Sequence, residues 1–132
     1  MASFHFDLVS PETIVFSGEV EQVDVPGTEG EFGVLAGHAP LVATLKPGIL
    51  TIFGPGEPER IVVGGGFAEV GPEGLTVLAE LAVPVEQFDV ARLGPEIKDS
   101  EEDVADATDD AARDKARERL EQLKALEAAL RH

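Results

Sequence analysis

Apolar and polar residues alternate from the start of the chain: Phe4, Phe6 and Leu8 against His5 and Asp7. A period of two is the signature of a half-buried β-strand. The stretch "ETIVFSGEVEQVDVPG" continues the pattern through Val20, Val23 and Val25 and closes on Pro26-Gly27. Short apolar runs follow at 41–45, 49–53, 61–63, 67–70 and 75–83. Gly or Pro stands at nearly every junction (Pro47-Gly48, Gly54-Pro55-Gly56, Gly71-Pro72). Short strands with frequent turn signals, and no helix-length segment between them, predict a β-sandwich or barrel over residues 1–86.

From Gln87 the texture changes. Gly becomes rare, and Ala, Glu, Asp, Arg and Leu dominate, as in exposed helices. The pattern predicts two helices in residues 87–132. The first spans about 88–107 and is expected to break at Gly94-Pro95, because the residue before a proline disfavours the α conformation. The second is expected to start at a Thr108 cap, with Asp109 and Asp110 set favourably against its N-terminal dipole. Ala112, Ala116, Leu120, Leu123, Leu126 and Leu130 recur at spacings of three and four, forming one apolar stripe. Between the helices, Asp99 to Asp110 holds seven acids and no base. Such a run predicts a solvated, soft connection. The fold class is thus mainly β with α: a sandwich followed by a helical hairpin.

Charge narrows the function. The net charge of −16 argues against nucleic-acid binding, which needs a basic footprint. The chain has no cysteine, so disulfides and thiolate chemistry are excluded. No stretch has the make-up of a signal peptide or of a bilayer-spanning helix, so membrane association is expected only through a partner. Up to residue 87 the only bases are Lys46 and Arg60, against thirteen acids; six of the eight later bases lie between Arg113 and Arg131. A cationic stretch on an anionic chain fits a directed contact with an acidic partner, or an ordinary solvated helix surface.

No catalytic constellation stands out. Gly30, Gly33 and Gly37 lack the lysine and the following helix of a phosphate loop. Gly64-Gly65-Gly66 precedes a strand pattern and reads as a bulge or a close strand crossing. The histidines, His5, His38 and His132, form neither a ligand set nor a Ser-His-Asp spacing. His38 therefore reads as structural or interfacial. Lys46-Pro47-Gly48 raises the alternative of a free-standing β-sandwich binding module or a lipoyl/biotinyl carrier domain, although Leu45 and Pro47 fit the flanks of a carrier lysine poorly.

The succession "SPETIVFSGEVEQVDVPGTEGEFGVLAGHAPLVATLKPGIL", then "GGGFAEV" and "LTVLAELA", closely resembles the epsilon subunit family of bacterial F-type ATP synthases, whose mitochondrial counterpart is called delta. The resemblance implies a sandwich of about ten strands that binds the gamma subunit and the c-ring. It also implies a C-terminal hairpin that can rise towards the alpha and beta subunits and impede ATP hydrolysis. The implied function is that of a non-catalytic rotor subunit of the proton-translocating synthase, held at the cytoplasmic face of the bacterial inner membrane. By positional match, Glu31 and His38 belong to the c-ring and gamma neighbourhood. Arg113, Lys115, Arg117, Arg119 and Lys124 are placed for an acidic loop of the beta subunits. Some members of the family bind regulatory ATP through a short motif at the start of the hairpin. Here Phe88-Asp89-Val90-Ala91-Arg92-Leu93 keeps Asp89 and Arg92 but differs at both flanks. A local role is also open to these two, with Asp89 capping the helix and Arg92 pairing with a carboxylate. No other cofactor and no metal is implied.

Overall fold

Ten strands carry the first unit of the computed structural model, which describes residues 2–130. They are β1 Phe4–Val9, β2 Ile14–Val20, β3 Gln22–Gly27, β4 Gly30–Leu35, β5 Leu41–Leu45, β6 Gly48–Phe53, β7 Glu59–Val63, β8 Gly66–Gly71, β9 Gly74–Ala79 and β10 Ala82–Pro84. The apolar run 75–83 is therefore two strands, split at Glu80-Leu81. One leaf runs β5-β8-β9-β1-β2 and the other β10-β7-β6-β3-β4. They join where β3 bends and Gly27 pairs with Leu45 of β5. All pairings are antiparallel except β1 with β9.

The period-two residues close the space between the leaves. Phe6 and Leu8 of β1, Val23 and Val25 of β3, Leu50 of β6, Val63 of β7 and Val77 of β9 are fully buried there. The Phe6 and Phe16 rings lie 5.6 Å apart. The triple glycine allows a close crossing, as its surroundings suggested. Gly66 has φ +120°, and a Cβ there would run into the Leu78 carbonyl on the neighbouring strand.

Two helices, α1 Leu93–Asp106 and α2 Asp110–Leu130, form the second unit, which starts at Phe88. They pack side by side, and their three-residue connection makes them antiparallel. Three sequence expectations need correction here. Gly94-Pro95 does not break a helix; it opens one. Residues 90–92 form a 3-10 turn, and Pro95 falls in the first turn of α1, where a missing N–H costs no bond. Gly94 has no Cβ to clash with the proline ring. The cap of α2 is Asp109 and not Thr108: its carboxylate accepts from the Ala112 amide at 2.7 Å. The acidic run is not a soft linker either, since Asp99 to Asp106 are the body of α1 and only residues 107–109 connect. Asp99, Glu102, Asp103 and Asp106 are neighbours at i,i+3 and i,i+4 spacing, but all four are exposed, and like-charge pairs there cost only about 0.2–0.5 kcal/mol each, so their repulsion does not outweigh the helix. Arg131 and His132 lie outside the described residues.

Candidate partner-binding surfaces

Glu31 owes its position to a tight hairpin. β3 and β4 pair in full register from Gln22↔Leu35 to Gly27↔Gly30, and Glu31 is exposed opposite Pro26. Three bonds tie the tip to β5: the Thr28 amide to the Thr44 carbonyl at 3.0 Å, the Lys46 amide to the Pro26 carbonyl at 3.0 Å, and the two threonine hydroxyls at 2.7 Å. Glu31 borders a groove with Phe32, Leu41, Val42 and Thr44. Lys46 is half-buried between β5 and β6. A carrier lysine needs a free tip, so the carrier alternative fails on geometry.

His38 follows β4 after a turn at Ala36-Gly37, where Gly37 takes φ +82°. Its amide donates to the Leu35 carbonyl at 3.1 Å, and its Nδ1 donates to the Ala39 carbonyl at 2.6 Å. The ring is thus held by its own loop, in a second groove with Leu35, Val70, Pro72 and Glu73. Glu31 and His38 stand at opposite ends of β4. Four strand steps of about 3.3 Å separate Glu31 from Leu35, and Glu31 and His38 line two different grooves.

The sequence reading missed an apolar row on the outer face of the first leaf. The cross-strand partners Phe67, Leu78, Val9 and Ile14 line up across β8, β9, β1 and β2. Phe67 is 45% exposed, Leu78 41% and Ile14 65%; Val42 of β5 is 68% exposed on the same face. Next to the row, Ser17 donates to Asp7 at 2.6 Å, and His5 lies 3.0 Å from Asp7 and 3.5 Å from Glu19. The Ser17 hydroxyl, ahead of the opposing effect of burial and then of His5, holds the Asp7 carboxyl below its ordinary value. Alternation alone makes Phe67 and Leu78 outward positions of their strands. That signal was in the sequence; what assembled them into one row is the pairing order.

In the helical unit, Asp89 accepts from the Ala91 amide at 3.0 Å and so caps the 3-10 turn. The Arg92 guanidinium lies over the Phe88 ring at 5.9 Å, and among the described residues no ion pair joins it to a carboxylate. Both residues are exposed. The five cations of α2 divide. At 100° per residue, Arg113, Arg117 and Lys124 fall within about 40° of one another, while Lys115 lies beyond the far edge of the apolar stripe and Arg119 falls within it, between Leu126 and Leu130. Lys115 and Arg119 line a groove with Asp103 and Asp106 of α1. All are exposed except Arg113, which is half-buried and hydrogen-bonded within the connection. The stripe itself is graded: Ala112 is exposed, Ala116, Leu120 and Leu130 are half-buried, and Leu123 and Leu126 are buried.

Among the described residues, no group of three or more His, Asp or Glu is arranged to hold a metal, and no helix is long and apolar enough to cross a membrane.

Comparison with known proteins matches this architecture throughout. The family described as "ATP synthase, Delta/Epsilon chain, beta-sandwich domain" covers residues 3–85. An ATP synthase epsilon chain of Nitrobacter hamburgensis is 53% identical over 130 residues, covering 98% of this chain and 96% of its own. That of Afipia carboxidovorans is 54% identical over 127 residues, covering 96% and 93%. In the Euglena gracilis mitochondrial ATP synthase, solved as "OSCP/F1/c-ring in rotational state 1", one chain is 32% identical with a TM-score of 0.79, over 98% of this chain and 82% of that one. A chain of the Tetrahymena thermophila mitochondrial enzyme shares the fold at 14% identity, with a TM-score of 0.68 over 98% and 97%. With ten strands in a sandwich, a helical hairpin and these matches, the chain belongs to the delta/epsilon family of ATP synthase subunits, a component of that membrane-bound complex and not itself the catalytic chain.

Proposed function

We propose that the chain is a central-stalk rotor subunit that couples ion-driven c-ring rotation to ATP synthesis, with a C-terminal hairpin that restrains ATP hydrolysis. The observation that carries the reading is the match across 98% of the chain to a component of a solved F1/c-ring assembly. The sandwich supplies the static contacts. Its apolar row, Phe67–Leu78–Val9–Ile14, suits the gamma subunit, because water-exposed apolar area is what a permanent partner removes from solvent. Glu31, exposed beside the β3–β4 tip, suits basic and amide groups on the c-ring loops. Lys115, Arg117, Arg119 and Lys124 are exposed on α2 and suit an acidic loop of the beta subunits, with alpha nearby. Such pairs are each worth about 0.2–1 kcal/mol and weaken with salt. Several together bias two states that differ by a few kcal/mol. The working place is then the cytoplasmic face of the bacterial inner membrane, reached through the complex.

The test is reconstitution into a complex depleted of this subunit. The full chain is expected to co-purify with gamma and restore ion-driven synthesis; failure to bind gamma would refute the stalk role. Removing residues 88–132 is expected to raise hydrolysis while assembly persists. Unchanged hydrolysis would remove the inhibitory role and leave the structural one. Regulatory ATP is a second reading, supported by Asp89 and Arg92 lying exposed on one turn ahead of α1. Calorimetry of the isolated chain tests it: binding of ATP that Arg92→Ala abolishes supports it, and absence of heat refutes it.

A further inference from the structure

The C-terminal end of α1 is electrostatically unfavourable. A helix leaves its last carbonyls without intrahelical partners and prefers cations there. Here Asp103 and Asp106 close the helix, with no base in its last turn. The missing cation comes from the next helix. Arg113, in the first turn of α2, donates through Nη2 to the Ala107 carbonyl at 3.2 Å and through Nη1 to Asp110 at 3.1 Å. Ala107 is the residue that ends α1 by turning extended, at φ −62° and ψ 132°. The Arg113 amide donates to the Asp109 carbonyl at 3.1 Å, which is the first intrahelical bond of α2, so it is the side chain of Arg113 that reaches back across the connection. Asp109 and Asp110 also compensate the poor placement of a cation at the start of α2.

We propose that Arg113 is the latch of the α1–α2 connection, and that it holds the two helices closed as a hairpin. The consequence separates it from the other α2 cations. Lys115, Arg117, Arg119 and Lys124 are exposed whether or not the hairpin is closed. Arg113 is half-buried, with one N–H of each Nη engaged inside the connection, so an acidic partner surface competes with the Ala107 carbonyl and Asp110 for the same guanidinium, and that contact opposes closure of the hairpin. This consequence rests on the proposed function; the latch itself does not, and it is tested on the chain alone.

The chain has no cysteine, so spin labels go cleanly onto Glu96→Cys and Glu121→Cys, placed about symmetrically around the connection on exposed positions. Closed helices have axes about 8–10 Å apart, whereas collinear helices would carry the labels roughly 35–40 Å apart. The unmodified full-length background is expected to give one short distance. Arg113→Met keeps an unbranched apolar stem and removes the guanidinium and its donors. It is expected to add a long-distance population and to speed amide exchange over residues 104–112 about fivefold. Arg113→Lys is expected to restore part of the protection. Asp110→Asn, which leaves the Ala107 bond in place, should shift both readouts in the same direction but less. A wild-type distance and wild-type exchange in Arg113→Met would overturn the latch, as would an Asp110→Asn effect larger than that of Arg113→Met. Exchange in the sandwich peptides shows that each variant is folded.

Discussion

Gly74 shows how much a single position decides. It opens β9 at φ +143°, and a Cβ there would run into the His5 carbonyl of the paired β1 strand. Gly74→Ala is expected to cost about 3 kcal/mol in urea denaturation, from backbone strain plus steric displacement. Gly54→Ala, with open space around it and no left-handed backbone, should stay within about 0.5 kcal/mol. Asp7 makes a pH statement at the same scale. Its carboxyl titrates below 3.8 in the folded chain, chiefly because Ser17 donates to it. A depressed folded value means that the unfolded chain binds more protons across the interval just below 3.8. The stabilisation is therefore complete above that interval and is lost as pH falls through the folded value. Ser17→Ala removes the largest cause, so NMR titration should find the Asp7 midpoint moved up towards 3.8; an unmoved midpoint would show that Ser17 is not the cause.

At the scale of elements, the helix ends hold the information. Asp109 caps α2 through the Ala112 amide, whereas Thr108 has no such bond among the described contacts. Asp109→Ala is expected to cost about 1 kcal/mol, seen as faster amide exchange in the first turn of α2. Thr108→Ala should change little. Three residues in a row (Thr108, Asp109, Asp110) are all acceptable caps by type. Sequence offered no way to rank them, because the choice depends on the direction in which the chain leaves α1. The Gly94-Pro95 pair has the same ambiguity. Within a helix it is a break, and in a first turn it is harmless; only the start at Leu93 separates the two.

For the whole molecule, the division at Gln87 and Phe88 follows from where the period-two core ends. The sandwich closes its own interior with residues from nine of its ten strands, Phe6, Val20, Val23, Val34, Leu45, Leu50, Val63, Val70 and Val77 among them. A fragment of residues 1–87 is therefore expected to unfold in one cooperative calorimetric transition. A broad, non-cooperative melt would mean that this core does not suffice by itself.

The sequence by itself determined the class of each half, because side-chain periodicity is a local property: two for the strands of 4–85, three to four for the stripe from Ala112 to Leu130. It also determined the family, since "EGEFGVLAGHAPL" is a specific string; of its glycines, Gly30 and Gly37 take positive φ at turns, while Gly33 lies within β4 opposite Asp24. It did not determine which exposed residues meet. Glu31 and His38 are seven positions apart and fall into different grooves, because an extended strand carries one away from the other. Phe67, Leu78, Val9 and Ile14 are scattered over the chain and form one row, because β9 pairs with β8 on one side and β1 on the other. Arg113 reads in the sequence as one cation among five. Only the tertiary structure, by bringing the end of α1 within 3.2 Å of its guanidinium, made it a different residue from its neighbours.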